Sequence, residues 1–182
     1  MWLDLEQNSE EWFKARLGKA TASNFGTIMA NLGKPFGDPA KAYAEAKALE
    51  IVTGELDESS RMNLWQFERG HEYEPVAEKR YEMETINTIT NGGFYVSECG
   101  RIGDSNDGNV GEKGCVEIKT VIPKTQFKRL KKGGIDPTYK WQIMGHIWVG
   151  NKDWCDFISF CPEMNHENQI LITRVYRDEE II

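Results

Sequence analysis

Apolar and polar positions change rhythm about midway along the chain. In the first half, apolar residues recur at helical spacing between clear start and stop signals. Asn8 or Ser9 is placed to cap a short helix running through Leu17, with Glu10 and Glu11 in its positively polarised first turn. A second short helix is expected to begin near Ser23. The Asp38-Pro39 pair and Gly54 bound a helix over Pro39–Thr53. A longer helix is predicted from Arg61 to Met83, with Leu64, Phe67, Val76 and Tyr81 spaced among charges. Pro75 inside it is expected to kink or interrupt it.

The second half switches to alternation and turns. Thr88–Ile89, Gly93–Ser97 and Arg101–Asp104 read as short strands, and Ser105–Gly114 as a glycine-bearing hairpin loop. Cys115–Val121 alternates in residue type, which predicts a strand. A short basic helix over Thr125–Lys131 and a longer one over Pro137–Val149 follow. Trp154–Cys161 and Gln169–Tyr176 complete the pattern as strands. Helices around a run of strands give an α/β fold, with a small mixed central sheet flanked by helices. At 182 residues the chain has room for one domain, 1–182.

Composition narrows the function. Hydrophobic residues make up 40% and aromatics 11%, enough for a packed core. A net charge of -7 and a pI of about 5.1 exclude a protein whose whole surface grips nucleic acid, while leaving room for a local basic groove. Cys99, Cys115, Cys155 and Cys161 form no C-x-x-C pair, and His71, His146 and His166 show no ligand spacing. Neither a zinc site nor a disulfide framework is expected. The polar, acidic N-terminus resembles no targeting segment, and no apolar run reaches membrane-spanning length. Reduced thiols and a cytoplasmic location are expected.

The chemistry concentrates at Asp107-Gly108 and Glu117-Ile118-Lys119. Residues i and i+2 of a strand share a face, so Glu117 and Lys119 project together while Val116 and Ile118 point into the opposite layer. An antiparallel return through the glycine loop brings Asp107 beside Glu117. Paired carboxylates favour a cation between them, and their oxygens suit Mg²⁺, with Mn²⁺ as a substitute. Such an ion polarises a phosphoryl oxygen and acidifies a water, and Lys119 orients that water, deprotonates it or stabilises charge on phosphate. The plain alternative is an exposed same-face charge pair beside an ordinary Asp-Gly turn. A calcium loop fails on register: with Asp104 at position one, Gly108 falls at position five and Cys115 at position twelve. No glycine run ends in G-K-[ST], so no ATP-binding loop is present.

Five ordered blocks resemble the phage lambda-type exonucleases, also called YqaJ-like viral recombinase nucleases, of the PD-(D/E)XK superfamily. Trp12-x-x-x-Arg16-Leu17-Gly18-x-x-Thr21-Ala22-Ser23 is similar to the family's N-terminal block. Gly70-His71-Glu72-Tyr73-Glu74 is similar to its helical G-x-x-Y-E. Ser105-Asn106-Asp107-Gly108 resembles S-P-D-G, with Asn106 in place of proline. Glu117-Ile118-Lys119 resembles the E-[IL]-K strand, and Tyr139-Lys140-Trp141-Gln142 the Y-x-x-Q helix.

The resemblance implies a restriction-endonuclease-like core and a role for each residue. Asp107 and Glu117, with the Ile118 carbonyl, would bind a first metal, and Glu74 would complete or share a second site. Lys119 would be the catalytic lysine, and Gln142 would orient it or the water. Arg16 and Ser23 would hold a 5′-phosphate. Plainer readings stand beside these. Glu74 is then a surface residue, Ser23 an N-cap and Gln142 a solvated amide, while Arg16 pairs with Glu10 or Glu11. Trp12, Trp141 and Trp148 are expected in the core.

The stretch after the catalytic strand carries Lys124, Lys128, Arg129, Lys131 and Lys132 with no acid, a candidate groove for backbone phosphates; the alternative is a solvated helix face. The family implies a 5′→3′ exonuclease acting on double-stranded DNA ends and making single-stranded tails for recombination. It also implies a ring-shaped homotrimer and a single-strand annealing partner, in the host cytoplasm if phage-encoded. The competing functions are an endonuclease or junction resolvase on the same core, and a DNA-binding recombination module without catalysis.

Overall fold

A computed structural model of the protein describes residues 1–32, 34–56 and 64–182. The strand pattern of the second half produces a sheet of order β5-β6-β7-β8, comprising β5 (Gly108–Val110), β6 (Gly114–Thr120), β7 (Trp154–Phe160) and β8 (Ile170–Tyr176). β6 and β7 run parallel, from Gly114 opposite Trp154 to Thr120 opposite Phe160, and the two outer pairings are antiparallel. A parallel pair needs a crossover connection. Here it consists of α5 (Pro123–Lys132), a 3₁₀ turn (Pro137–Tyr139) and α6 (Lys140–Val149).

Alternation along β6 decides what each face meets. Val116 and Ile118 pack with Ile158, Phe160 and the helix residues Ala77 and Tyr81 of α4 (Leu64–Thr85). Cys115 points the other way, into a cluster of Cys155, Phe157 and Ile143, Met144 and Ile147 of α6. The sheet is therefore sandwiched between α4 and α6. Each fully buried aliphatic side chain in these layers stabilises the fold by about 1.5–3 kcal/mol.

A second small sheet, of order β1-β3-β4-β2, accompanies the mixed sheet of the expected α/β fold. It joins β1 (Trp2–Leu3), β2 (Ala20–Thr21), β3 (Phe94–Val96) and β4 (Ile102–Asp104). β1 and β2 are two residues each, too short for alternation to register. Thr88–Ile89 is not a strand. A bridge between Thr90 and Asn109 links the segment before β3 to β5. The Ser105–Gly114 segment is likewise not all loop, because Gly108–Val110 pairs with β6.

The helix signals hold more closely. Ser9 Oγ accepts the Trp12 N–H and caps α1 (Glu10–Arg16). A 3₁₀ turn (Ala22–Asn24) leads into α2 (Phe25–Met29). α3 (Asp38–Thr53) ends at Gly54, whose φ of 73° is readily adopted by glycine. α4 passes Pro75 as one element; the predicted start at Arg61 and the packing of Leu64 and Phe67 lie outside the described residues. Gly145 lets α6 approach the 22–25 segment, since a Cβ there would lie 2.7 Å from Ala22 Cβ. Trp12 is buried as expected, but Trp148 is 42% exposed and lines an apolar groove of about 300 Å³ with Phe25 and Ile182. The four cysteines are free thiols, Cys99 exposed and the other three buried. Among the described residues no helix is long and apolar enough to cross a membrane.

Candidate active site

The β5–β6 hairpin returns Asp107 to Glu117. The Asp107 N–H donates to Val116 O at 3.1 Å, and Asp107 Oδ2 accepts the Ile118 N–H at 2.6 Å. Gly108 lets the 89–90 segment pack close against the hairpin, because a Cβ there would lie 2.2 Å from Ile89 Cγ2. Asn106, standing where the family pattern has proline, is fully buried, and its carbonyl accepts from Gln7 Nε2 at 2.8 Å.

Glu117 and Lys119 share the face toward α6. The Lys119 ammonium contacts Glu117 Oε1, and Gln142 Nε2 donates to the same oxygen at 2.7 Å. The other oxygen, Oε2, lies 2.8 Å from His146 Nε2, while His146 Nδ1 lies 2.6 Å from Asp104 Oδ1 at the end of β4. Asp104, His146 and Glu117 are all buried. A carboxylate offers about four lone-pair sites, so these three contacts leave Glu117 with one.

The charges interact strongly. Burial pushes the Asp107 carboxyl well above its usual range, and the neighbouring Glu117 adds to the rise. Glu74 on α4 is pushed up by burial and by Glu117, which puts it within electrostatic reach of the cluster. Burial also opposes ionisation of Glu117, but Lys119 and His146 outweigh it and bring its pKa down to about 2. Lys119 would be lowered by burial; Glu117 and Asp107 instead raise it above the ordinary lysine range. His146 is raised well above the histidine range by Asp104 and Glu117 despite its burial. Each of its ring nitrogens faces a carboxylate oxygen.

The donors fit a hard cation. Among the described residues no three His, Cys, Asp or Glu side chains converge closely enough to hold a metal by themselves. The candidate donors are sparser: Asp107, Glu117 and Glu74, which feel one another's charge, with the Ile118 carbonyl as the fourth group expected from the sequence. All are oxygen donors, and Mg²⁺ typically takes one or two carboxylates and keeps several waters. The clustered negative charge that raises Asp107 is what a divalent ion would relieve.

Arg16 and Ser23, the residues expected to bind a DNA end, lie on the N-terminal elements α1 and the 22–24 turn. Arg16 lies over the Trp12 ring, 4.1 Å from its centroid, and Trp12 Nε1 donates to Ser105 Oγ at 2.9 Å. Burial lowers the Arg16 pKa against the raising influence of Tyr43, Asp104 and Glu50. The salt bridge formed with Glu10 is made by Lys14, not by Arg16. Ser23 is exposed on the 22–24 turn, with its Oγ 3.2 Å from Thr21 Oγ1, and caps neither that turn nor α2.

The basic run divides. Lys124, Lys128, Lys131 and Lys132 are exposed on α5. Arg129 is not on that face: it is buried, donates to Ser159 Oγ at 2.9 Å and Tyr139 OH at 3.2 Å, and packs over Phe157. Helix α5 docks through polar groups, with Gln126 Nε2 donating to the Ser159, Asn168 and Gln169 carbonyls. A basic residue in a charge run is normally solvated, so composition gave no sign that Arg129 turns inward.

Sequence reasoning missed His146 and Asp104. A signal existed for the first: His146 follows Gln142 by four residues, the helical spacing that places both on one face. Asp104 carried none, because its partner is remote in sequence.

Residues 11–153 match the family model described as the YqaJ-like viral recombinase domain. The fold is similar to that of an alkaline exonuclease (LHK-Exo) from Laribacter hongkongensis, with 31% identity, a TM-score of 0.84, and 95% of this chain and 84% of that one covered. The same enzyme in complex with dAMP gives 31% identity, a TM-score of 0.85, and coverage of 95% and 85%. A phage related exonuclease from Haemophilus somnus 129PT shares the fold at a TM-score of 0.68 and 16% identity, over 90% of this chain and 86% of that one. No curated protein matches the chain significantly.

Proposed function

Because the chain belongs to the YqaJ-like viral recombinase family, we propose that it is a Mg²⁺-dependent exonuclease that digests double-stranded DNA from its ends, 5′→3′, and leaves single-stranded tails for recombination. The observation that carries this reading is the convergence of Asp107, Glu117 and Lys119 on one hairpin, with Gln142 bonded to Glu117. The related enzyme holding dAMP supports it, since a deoxynucleoside monophosphate is the product such a reaction releases.

Bound by Asp107, Glu117, the Ile118 carbonyl and Glu74, Mg²⁺ or Mn²⁺ would supply Lewis-acid polarisation of the scissile phosphate and acidify the attacking water. The protein supplies the rest. Water adds its oxygen to phosphorus, the bond from phosphorus to the 3′-oxygen breaks, and that oxygen takes up a proton. Negative charge grows on the phosphoryl oxygens along the way, and Lys119, held as an ammonium by its two carboxylate neighbours, is suited to stabilise it. Gln142 fixes the Glu117 carboxylate from one side. Arg16 and Ser23 would take the terminal 5′-phosphate. The exposed lysines of α5 would follow the backbone without reading sequence. A ring-shaped homotrimer and an annealing partner belong to the same proposal, and sedimentation of the purified protein tests the first.

The test is digestion of 5′-phosphorylated linear duplex and covalently closed circles in Mg²⁺. Mononucleotides released from the linear form alone, with a 5′-terminal label appearing first, is the expected result. Nicked or cut circles would favour an endonuclease, and no product from either would leave a DNA-binding module.

A further inference from the structure

We propose that Asp104 and His146 form a positioning pair that fixes the orientation of the Glu117 carboxylate. The inference rests on the nuclease reading above and adds residues that the family motifs do not include.

Three elements meet at this pair. Asp104 ends β4 in one sheet, Glu117 lies in β6 of the other, and His146 on α6 spans the gap with contacts of 2.6 Å and 2.8 Å. None of the three side chains exceeds 1% exposure, so water does not compete for these hydrogen bonds. Gln142 and Lys119 engage Oε1 of Glu117, and His146 engages Oε2. With contacts on both oxygens the carboxylate plane cannot swivel, and its remaining lone pair keeps one direction. A ligand carboxylate held this way needs no reorganisation when a cation arrives. Remove the donor on Oε2, and Glu117 gains a rotation together with a buried, unsatisfied oxygen.

Asp104 does the same for His146, because a ring held at both nitrogens cannot flip. It also lies within electrostatic reach of Arg16. The groups proposed to hold the DNA end and the cation are thus tied to one frame. A histidine serving only to join two sheets would predict something different: loss of stability on substitution, with Glu117 unaffected in whatever molecules stay folded.

Two substitutions separate these roles. In His146→Gln the side-chain amide reaches about as far as Nε2 and keeps a donor on Glu117. In His146→Asn the amide reaches only the Nδ1 position and keeps Asp104 alone. Mg²⁺ binding by calorimetry and steady-state nucleotide release from linear duplex would be measured on both variants and wild type. The pair predicts that H146N loses Mg²⁺ affinity and kcat by about 10–100-fold, with KM for DNA little changed, and that H146Q recovers most of both. Should H146N not fold, His146→Met, which fills the space without a donor, takes its place. A folded H146N or H146M matching wild type in Mg²⁺ affinity and kcat would overturn the inference, as would H146Q behaving no better than they do. If wild type binds Mg²⁺ but releases no nucleotide, the nuclease reading falls, and calorimetry still judges His146. If wild type binds no Mg²⁺, both fall.

Discussion

Asp107 is held in a place where a carboxylate is uncomfortable. It is half-buried and faces Glu117, and the loss of solvent together with that neighbouring charge raises its pKa. A group whose folded pKa is raised favours folding below its unfolded value, about 3.9 for aspartate, and that contribution is lost as pH rises through the folded value. At neutral pH the metal-free protein therefore carries an electrostatic cost at this residue. Asp107→Asn removes the charge while keeping an acceptor for the Ile118 N–H. It should raise the metal-free Tm above wild type, by a margin that widens from about pH 4 to pH 7, and abolish stabilisation by Mg²⁺. Thermal melts across that range, with and without Mg²⁺, check both halves. A Tm gap that does not change with pH would mean that the Asp107 charge is not the source of the cost. Glu117 behaves oppositely. Its pKa falls to about 2, so its contribution is present above the unfolded value and lost only as the medium approaches that acidity.

Among the elements, α5 shows what a sequence can and cannot say. Its basic character was legible, and so was its place directly after the catalytic strand. Its orientation was not, because the helix seats itself on β7 through Gln126 and Arg129 and leaves Phe127 63% exposed. An apolar-in, polar-out assumption fails for a helix docked by hydrogen bonds. The two kinds of basic residue should separate experimentally. Lys128→Ala with Lys131→Ala should leave the Tm nearly unchanged and lower the slope of log K for DNA against log salt by about 2. Arg129→Ala should instead cost about 1–3 kcal/mol of stability, because Ser159 and Tyr139 lose their buried partner. Binding isotherms over a salt series and chemical denaturation distinguish the two. The β5–β6 hairpin is the opposite case. Glu117 and Lys119 on one face and Asp107 returning beside them were readable from alternation and one Asp-Gly turn, both of which are local rules.

At the scale of the whole molecule, helix α4 is secured to the sheet by a buried polar contact as well as by apolar packing. Tyr81 OH donates to Asp156 Oδ2 at 2.7 Å, and Arg174 on β8 donates to both oxygens of Asp156 at 2.8 Å. Burial and Asp156 together push the Tyr81 hydroxyl up to about 12. Tyr81→Phe should cost about 1–2 kcal/mol and lower the Tm by a few degrees, with activity intact at temperatures where it stays folded. What the sequence hid at this scale was the second sheet and the buried pair that crosses to it. Two-residue strands carry no period. Asp104 and Glu117, close in the chain, become partners only through a histidine on a helix contributed much later. The charge balance also makes sense only for the assembled body, where a net charge of -7 coexists with four exposed lysines on one helix.

The proposed hydrolysis requires Asp107, Glu117 and Lys119 to act as one catalytic cluster. The most direct measurement is the rate of mononucleotide release from 5′-phosphorylated linear duplex in Mg²⁺, for wild type, Asp107→Ala and Lys119→Ala, with folding verified by circular dichroism. Both variants should stay folded and lose at least about 10²–10³-fold in kcat. Wild-type rates in either folded variant would contradict it.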